Sequence, residues 1–303
     1  MNNYKIPLVN NTISDSELFD LADWIKTIPR LTMGDLNKKF ENQWSNWLGT
    51  QHSVFVNSGS SANLLMIDVL KECNRLKSNN IVVPAVSWPT TVAPIIQLGL
   101  NPILCDADPE NLGLNLDHLE KILSNQDISA VLIVHVLGVP NHMSEIVDLC
   151  KKYGVILLED CCEAPGSEYK NKKVGTFGLI STFSFFYGHH ISTIEGGMIS
   201  TNDDEINELL ILKRAHGWVR NLPEDAQKKY QTKFQVSDFE SLYTFYSLGY
   251  NLRSNEISAF LGLNQIKNID KYGKIRNNNY EYYKEQLKDF WFQTSNDSFI
   301  SNF

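Results

Sequence analysis

Phe183-Ser184-Phe185-Phe186-Tyr187-Gly188-His189-His190-Ile191-Ser192-Thr193-Ile194-Glu195-Gly196-Gly197 is the stretch on which the reading of the fold turns. It opens aromatic and β-rich, passes through two histidines and small hydroxyl residues, and closes on a carboxylate and a glycine pair. With Met198 to Thr201 behind it, the pattern predicts two strands, 181–186 and 198–201, around a polar loop. As a metal site the loop is poor: adjacent side chains diverge on extended backbone, and no third ligand stands at a recognised spacing. As a base, one histidine between two strands fits, because imidazole titrates near neutral pH.

Upstream, short β-rich runs alternate with helical segments. The strands read as 53–56, 81–83, 103–104, 130–136 and 155–158, and the helices between them as 60–77, 90–98, 117–123 and 144–153. That alternation predicts an α/β fold, a mainly parallel sheet with helices on both faces. Downstream the chain is mostly helical, at 205–215, 255–269 and 275–290. It ends on Ser298-Phe-Ile-Ser-Asn-Phe303, which is apolar and β-like.

The 303 residues are 43% hydrophobic and 20% charged, ample for one large core. A net charge of −8 argues against nucleic acid or an anionic membrane as partner. The most apolar run, 130–139, is broken by His135 and is about half the length that spans a bilayer. The start lacks the layout of a signal peptide. Five cysteines, without metal-ligand spacing, read as reduced thiols, so the cytoplasm is the expected location.

Two turns carry chemistry with alternatives open. Asn57-Ser58-Gly59-Ser60 joins a strand to a helix, and Ser60 at the helix N-terminus suits either a phosphate or an ordinary cap. Glu159-Asp160 ends a buried strand, where ligands of doubly wound sheets sit. Asp160 suits either a protonated ring nitrogen or a helix cap. Trp88 reads equally as a stacking surface or a core residue.

Taken together, Ser58-Gly59-Ser60, Glu159-Asp160, Ser184 with Glu195-Gly196-Gly197, and Tyr250-Asn251-Leu252-Arg253 with Glu256 resemble the DegT/DnrJ/EryC1/StrS sugar aminotransferase family. The resemblance runs over about residues 5–290 and implies the type I pyridoxal-phosphate fold. Five residues after Ser184, where that family carries its cofactor lysine, this sequence has His189. The subgroup with this exchange consists of sugar 3-dehydratases.

The resemblance implies a set of roles. Pyridoxal 5′-phosphate, alternating with pyridoxamine 5′-phosphate, would be held without a covalent bond. Gly59, Ser60 and Ser184 would take its phosphate, joined by Asn251 from a second subunit of a homodimer with a shared active site. Trp88 would stack on its ring, Asp160 would pair with the ring nitrogen, and Glu163 would lie near the ring hydroxyl. His189 would be the catalytic base, and His216 would lie near the substrate.

The implied reaction is loss of the 3-hydroxyl from a nucleotide-linked 4-keto-6-deoxy sugar, GDP-4-keto-6-deoxy-mannose, in deoxysugar and lipopolysaccharide O-antigen synthesis. L-Glutamate is the amino donor and ammonia is released. A related iron–sulfur dehydrase also has histidine here but needs cysteine ligands, and no cysteine follows Cys162, so no metal is expected. Residues 1–270 are expected to form the large cofactor-binding domain with an N-terminal helical segment. Residues 271–303 are expected to be a linker helix and the start of a small, incomplete C-terminal domain. An aminotransferase-like enzyme and a non-catalytic protein of the same fold are the competing readings.

Overall fold

The computed structural model describes residues 12–294 and 299–301; of the β-like ending, Ser298, Asn302 and Phe303 lie outside them. Two helices lead in, α1 (Asp15–Ile25) and α2 (Asp35–Leu48). The alternating region then follows as β1 (His52–Val56), α3 (Gly59–Glu72), β2 (Asn80–Pro84), α4 (Pro89–Gln97), β3 (Asn101–Cys105), α5 (Leu116–Asn125), β4 (Ala130–Val134), α6 (Met143–Tyr153) and β5 (Ile156–Asp160). A small hairpin, β6 (Glu168–Tyr169) and β7 (Lys172–Lys173), precedes β8 (Ile180–Ser184) and β9 (Gly197–Thr201). The rest comprises α7 (Asp204–Arg214), α8 (Glu224–Phe234), α9 (Asp238–Ser241), α10 (Glu256–Gln265), α11 (Ile269–Gln286) and β10 (Phe299–Ile300).

Seven strands form one sheet in the order β1-β9-β8-β5-β4-β2-β3. From β8 to β3 every pairing is parallel, whereas β9 runs antiparallel to both of its neighbours. The reason is the connection: residues 185–196 contain no crossover helix, and a short loop can only bring the chain back antiparallel. The central parallel strand β4 is buried on both faces, which is why it reads as an unbroken apolar run, while β3 at the edge is partly exposed. Val82, Val131, Ile133 and Leu157 pack on one face with residues of α5 and α6. Ile81, Val83, Leu132 and Leu158 pack on the other with α3, as the two-residue period of a strand requires.

A third, aromatic cluster fixes the loop-bearing side: Phe40 and Trp44 of α2 meet Phe55, Phe183 and Phe185. The outer edge of β1 is closed by side chains. Phe55 N–H donates to Glu41, and its carbonyl accepts from Arg214, which also pairs with Glu41.

Several predicted boundaries move: the helix read as 275–290 runs Ile269–Gln286, the one read as 255–269 ends at Gln265, and the strand read as 181–186 ends at Ser184. The helix read as 60–77 ends at Glu72, and Asn74 takes a left-handed φ of 53°. The strand read as 130–136 stops at Val134, because residues 136–138 turn as a short 3-10 helix with Leu137 at φ 49°. Phe299 and Ile300 pair with Tyr169 and Glu168 in a separate three-stranded sheet of order β10-β6-β7.

Candidate active site

The first wall of the site is the turn from β1 into α3. Ser58 is the N-cap, its Oγ accepting the Ser61 N–H at 3.0 Å, and Ser60 stands one residue into the first turn. The N–H groups of this turn are those a helix leaves without internal partners, and its dipole favours an anion there. Gly59 is required by a close approach: a Cβ on it would lie 2.6 Å from the Cβ of Ser184. Gly197 is required likewise, since its Cβ would meet the Ser58 carbonyl at 2.3 Å. The glycines thus bring the Ser184 hydroxyl at the end of β8 against the start of α3.

The end of β5 sends two carboxylates in different directions. Glu159 is fully buried away from the cavity, accepting N–H bonds from Gly175, Phe177 and Gly178 at 2.6–2.8 Å and facing His135 Nε2 at 3.3 Å. Burial opposes its charge, but the His135 contact and the backbone donors prevail and hold its pKa below the ordinary carboxylate value. Its oxygens are thereby committed, so the nearby His135–Glu159–Cys161 group reads as a hydrogen-bonded core; burial also pushes the Cys161 thiol well above its usual pKa. Asp160 instead faces the cavity. Its Oδ2 accepts from Asn63 Nδ2 at 2.8 Å and Thr91 Oγ1 at 2.9 Å, and its Oδ1 accepts the Cys162 N–H at 3.1 Å.

The loop between β8 and β9 separates the two histidines, as expected of adjacent residues. His190 is buried, while half-buried His189 lines the cavity. His189 Nδ1 lies 2.6 Å from the Cys162 carbonyl oxygen, and a carbonyl only accepts. Nδ1 therefore carries the proton, leaving the Nε2 lone pair as the basic atom.

Trp88 caps α4 and is 69% exposed, so the core alternative for it falls; its indole borders the cavity. Glu163 also lines it, with Oε2 accepting the N–H of left-handed Leu137 at 2.7 Å.

One cavity of about 370 Å³ therefore gathers Gly59, Ser60 and Ser184 with Trp88, Asp160, Glu163 and His189. Asn251 and His216 do not line it within this chain. Asn251 pairs with Ala215 and accepts from Arg253 Nε at 3.0 Å, while His216 Nε2 lies 3.3 Å from an Arg253 guanidinium nitrogen. Sequence reasoning missed Asn63, Thr91, Cys162 and Glu195. Only Glu195 had a signal, its place beside the glycine pair.

Among the described residues, no lysine lines the cavity. Lys170 and Lys173 of the small hairpin bond to Ser144 Oγ and the Trp47 carbonyl, and Lys172 lies over the Phe177 ring.

A model of the DegT/DnrJ/EryC1/StrS aminotransferase family matches residues 13–298. The chain belongs to this family. Within it, the chain is 40% identical over 287 residues to GDP-4-keto-6-deoxy-D-mannose 3-dehydratase of Escherichia coli, an alignment covering 93% of this chain and 73% of that one. A structure of the E. coli GDP-4-keto-6-deoxy-D-mannose-3-dehydratase with bound hydrated PLP superposes with a TM-score of 0.87 at 40% identity, covering 95% of this chain and 74% of that one. A GDP-4-keto-6-deoxymannose-3-dehydratase with a trapped PLP-glutamate geminal diamine gives 0.88 at 38%, covering 98% and 77%. The superposition over nearly the whole chain on these relatives bears out the α/β, type I fold expected from sequence.

The residues present fit pyridoxal phosphate. A helix N-terminus with two hydroxyls suits a phosphate, an exposed indole suits a flat ring, and a hydrogen-bonded carboxylate suits a ring N–H.

Proposed function

We propose that this chain is a pyridoxal-phosphate-dependent lyase that removes the 3-hydroxyl of GDP-4-keto-6-deoxy-mannose, with L-glutamate as amino donor. One observation carries the reading: among the described residues the cavity is lined by His189 and by no lysine. Histidine cannot form the covalent bond that a cofactor lysine makes with its aldehyde, so the cofactor is retained by contacts alone. When bound in its amine form, the cofactor activates the 4-keto group and stores electrons while the neighbouring C3–O bond breaks. The balance is keto sugar plus glutamate giving 3-deoxy-4-keto sugar, 2-oxoglutarate and ammonia.

The chain's own residues supply the rest. The α3 N-terminus, Ser60 and Ser184 bind phosphate; Trp88 covers the ring; Asp160 accepts from the ring nitrogen; Glu163 lies near the ring hydroxyl. His189 takes up a proton at Nε2 and returns it to the departing hydroxyl, with Nδ1 anchored on the Cys162 carbonyl. One positioned base of this kind contributes about 10²–10⁴-fold in rate.

The same reading has two chains sharing each site, with Asn251 reaching the partner's cofactor and His216 beside the substrate. The support is a set of exposed apolar side chains in the segment leading to Asn251, where Leu248 is 92%, Phe239 80% and Tyr243 74% accessible. Its setting is the cytoplasm, in deoxysugar synthesis for O-antigen; the five cysteines are free, and no described helix is long and apolar enough to cross a membrane.

The test combines the purified chain with pyridoxal phosphate, glutamate and GDP-4-keto-6-deoxy-mannose, then measures 2-oxoglutarate, ammonia and sugar products. Ammonia with a 3-deoxy sugar supports the proposal. An amino sugar overturns it in favour of aminotransfer, and cofactor binding without product overturns it in favour of a non-catalytic protein.

A further inference from the structure

Behind Asp160 lies a chain of buried polar groups drawn from three elements of the fold. Thr182 of β8 donates its hydroxyl to Asn63 Oδ1 at 2.6 Å. The amide's orientation is fixed from its other side, because the Asp160 carboxylate oxygen and the Thr90 carbonyl only accept and so face the NH2, leaving Oδ1 to take the Thr182 hydroxyl proton. Asn63 Nδ2 of α3 then faces Asp160 Oδ2 at 2.8 Å, and Thr91 Oγ1 of α4 reaches the same oxygen at 2.9 Å. The amide's second contact, to the Thr90 carbonyl at 3.2 Å, ties it to the start of α4. Thr182 and Thr91 are fully buried, Asn63 is 1% exposed and Asp160 4%.

The path Thr182 to Asn63 to Asp160 runs toward the carboxylate, and Thr91 joins it there. The carboxylate plane is fixed by two side-chain donors on Oδ2 and the Cys162 N–H on Oδ1, which leaves one acceptor position on Oδ1. A carboxylate held by three donors keeps its direction when the cavity fills, whereas one without them would have to find partners.

We propose that Asn63 and Thr91 are positioning residues for the cofactor: they hold Asp160 in the plane and the acceptor state that a pyridinium N–H requires. This rests on the pyridoxal-phosphate reading above. Neither residue is needed to fill space, since Leu and Val of similar volume could do so. What they add is a donor each. A hydrogen bond to a charged group is worth about ten- to a hundredfold in an equilibrium, and its loss here falls on the ring-nitrogen contact.

The experiment uses the full chain as wild type and as Asn63→Leu, Thr91→Val and Thr91→Ser, titrated with pyridoxal phosphate ¹⁵N-labelled at the ring nitrogen. The readouts are the dissociation constant and the ¹⁵N chemical shift of the bound ring. Wild type is expected to show a protonated-type shift. Thr91→Val and Asn63→Leu should each bind about tenfold or more weakly and move the shift toward the unprotonated form, and Thr91→Ser should restore both. The two apolar variants lie on different helices, so either decides the question if the other does not fold. Wild-type affinity and shift in the apolar variants, or a Thr91→Ser no better than Thr91→Val, overturns the positioning role while leaving the cofactor reading intact. A wild-type chain that takes up no pyridoxal phosphate overturns both.

Discussion

His189 donates its Nδ1–H to the carbonyl oxygen of Cys162, 2.6 Å away, and so binds the β8–β9 loop to the residue just past the end of β5. The bond sets both the tautomer and the ring's orientation, so the basic atom is Nε2 in a residue that lines the cavity. A lysine at the same place would lack that anchor and would offer an amine able to bond to the cofactor aldehyde.

Replacing His189 therefore separates binding from chemistry. His189→Asn is expected to lose about 10²–10⁴-fold in turnover while binding pyridoxal phosphate as wild type does, read by equilibrium titration beside a coupled ammonia assay. His189→Lys is expected to capture pyridoxal phosphate in a borohydride-reducible bond, visible as a mass increase, and to stop dehydrating. Wild-type turnover in His189→Asn would remove this residue from the mechanism.

The contact between Gly59 and Ser184 predicts a compensating pair. A methyl at Gly59 would lie 2.6 Å from the Ser184 Cβ and 3.0 Å from its Oγ, atoms fixed close to the backbone. Gly59→Ala should therefore destabilise by about 1–3 kcal/mol through overpacking and weaken cofactor binding. Adding Ser184→Gly removes the obstructing atoms, so the double variant should recover stability in denaturant melts. Its affinity for pyridoxal phosphate should stay low, because the Ser184 hydroxyl is gone. Recovery of both properties together would show that Ser184 does not bind the phosphate.

Much of this site was legible in the sequence because each signal sat beside a structural break. Gly59-Ser60 and Asp160 stand at or just beyond strand ends, which alternation locates, whereas the choice of His189 over His190 came from the family resemblance. Trp88 was ambiguous because sequence cannot tell a buried indole from one at a cavity mouth; Pro89 behind it starts α4 and leaves the ring outside. Asn63 and Thr91 were invisible, since a polar residue in a helix has no periodic mark saying that it faces a carboxylate on β5. Asn251 and His216 carried a family signal, yet a single chain keeps them with Arg253, away from the cavity. Helix α8 was missed because its polar sequence buries only Ala226 and so lacks an apolar stripe.

Glu159 should shape the acid limb of stability. Burial works against its charge, and the His135 contact with the N–H groups of Gly178 and Gly175 works for it, with the net pKa lowered from 4.5. A folded-state pKa below the unfolded one contributes stability that is present above about pH 4.5 and is lost as pH falls through the lower folded value. Denaturant melts from neutral pH downward should show this loss. Glu159→Gln should be less stable at pH 7 and flatter in its acid dependence, because its amide cannot accept on both sides. An unchanged acid slope in that variant would mean that other groups set it.

Glu256, from the Tyr250–Glu256 motif, carries a load that lies outside the cavity. Its Oε1 accepts from Gly34 N–H at 2.9 Å, Asn37 N–H at 3.0 Å and Asn37 Nδ2 at 2.6 Å, and its Oε2 accepts the Leu36 N–H at 3.0 Å. These are the donors at the N-terminus of α2, whose cap Gly34 has no side chain to meet them. The buried carboxylate also complements the helix dipole. Because α2 supplies Phe40 and Trp44 to the cluster holding Phe183 and Phe185, the cap supports the strand that presents the His189 loop. Glu256→Ala leaves these donors buried without partners and should cost about 3 kcal/mol, whereas Glu256→Gln keeps one acceptor and should cost less. Thermal and urea melts of the two variants, with and without pyridoxal phosphate, measure the difference. An alanine variant as stable as wild type would show that α2 is held by its aromatic packing alone.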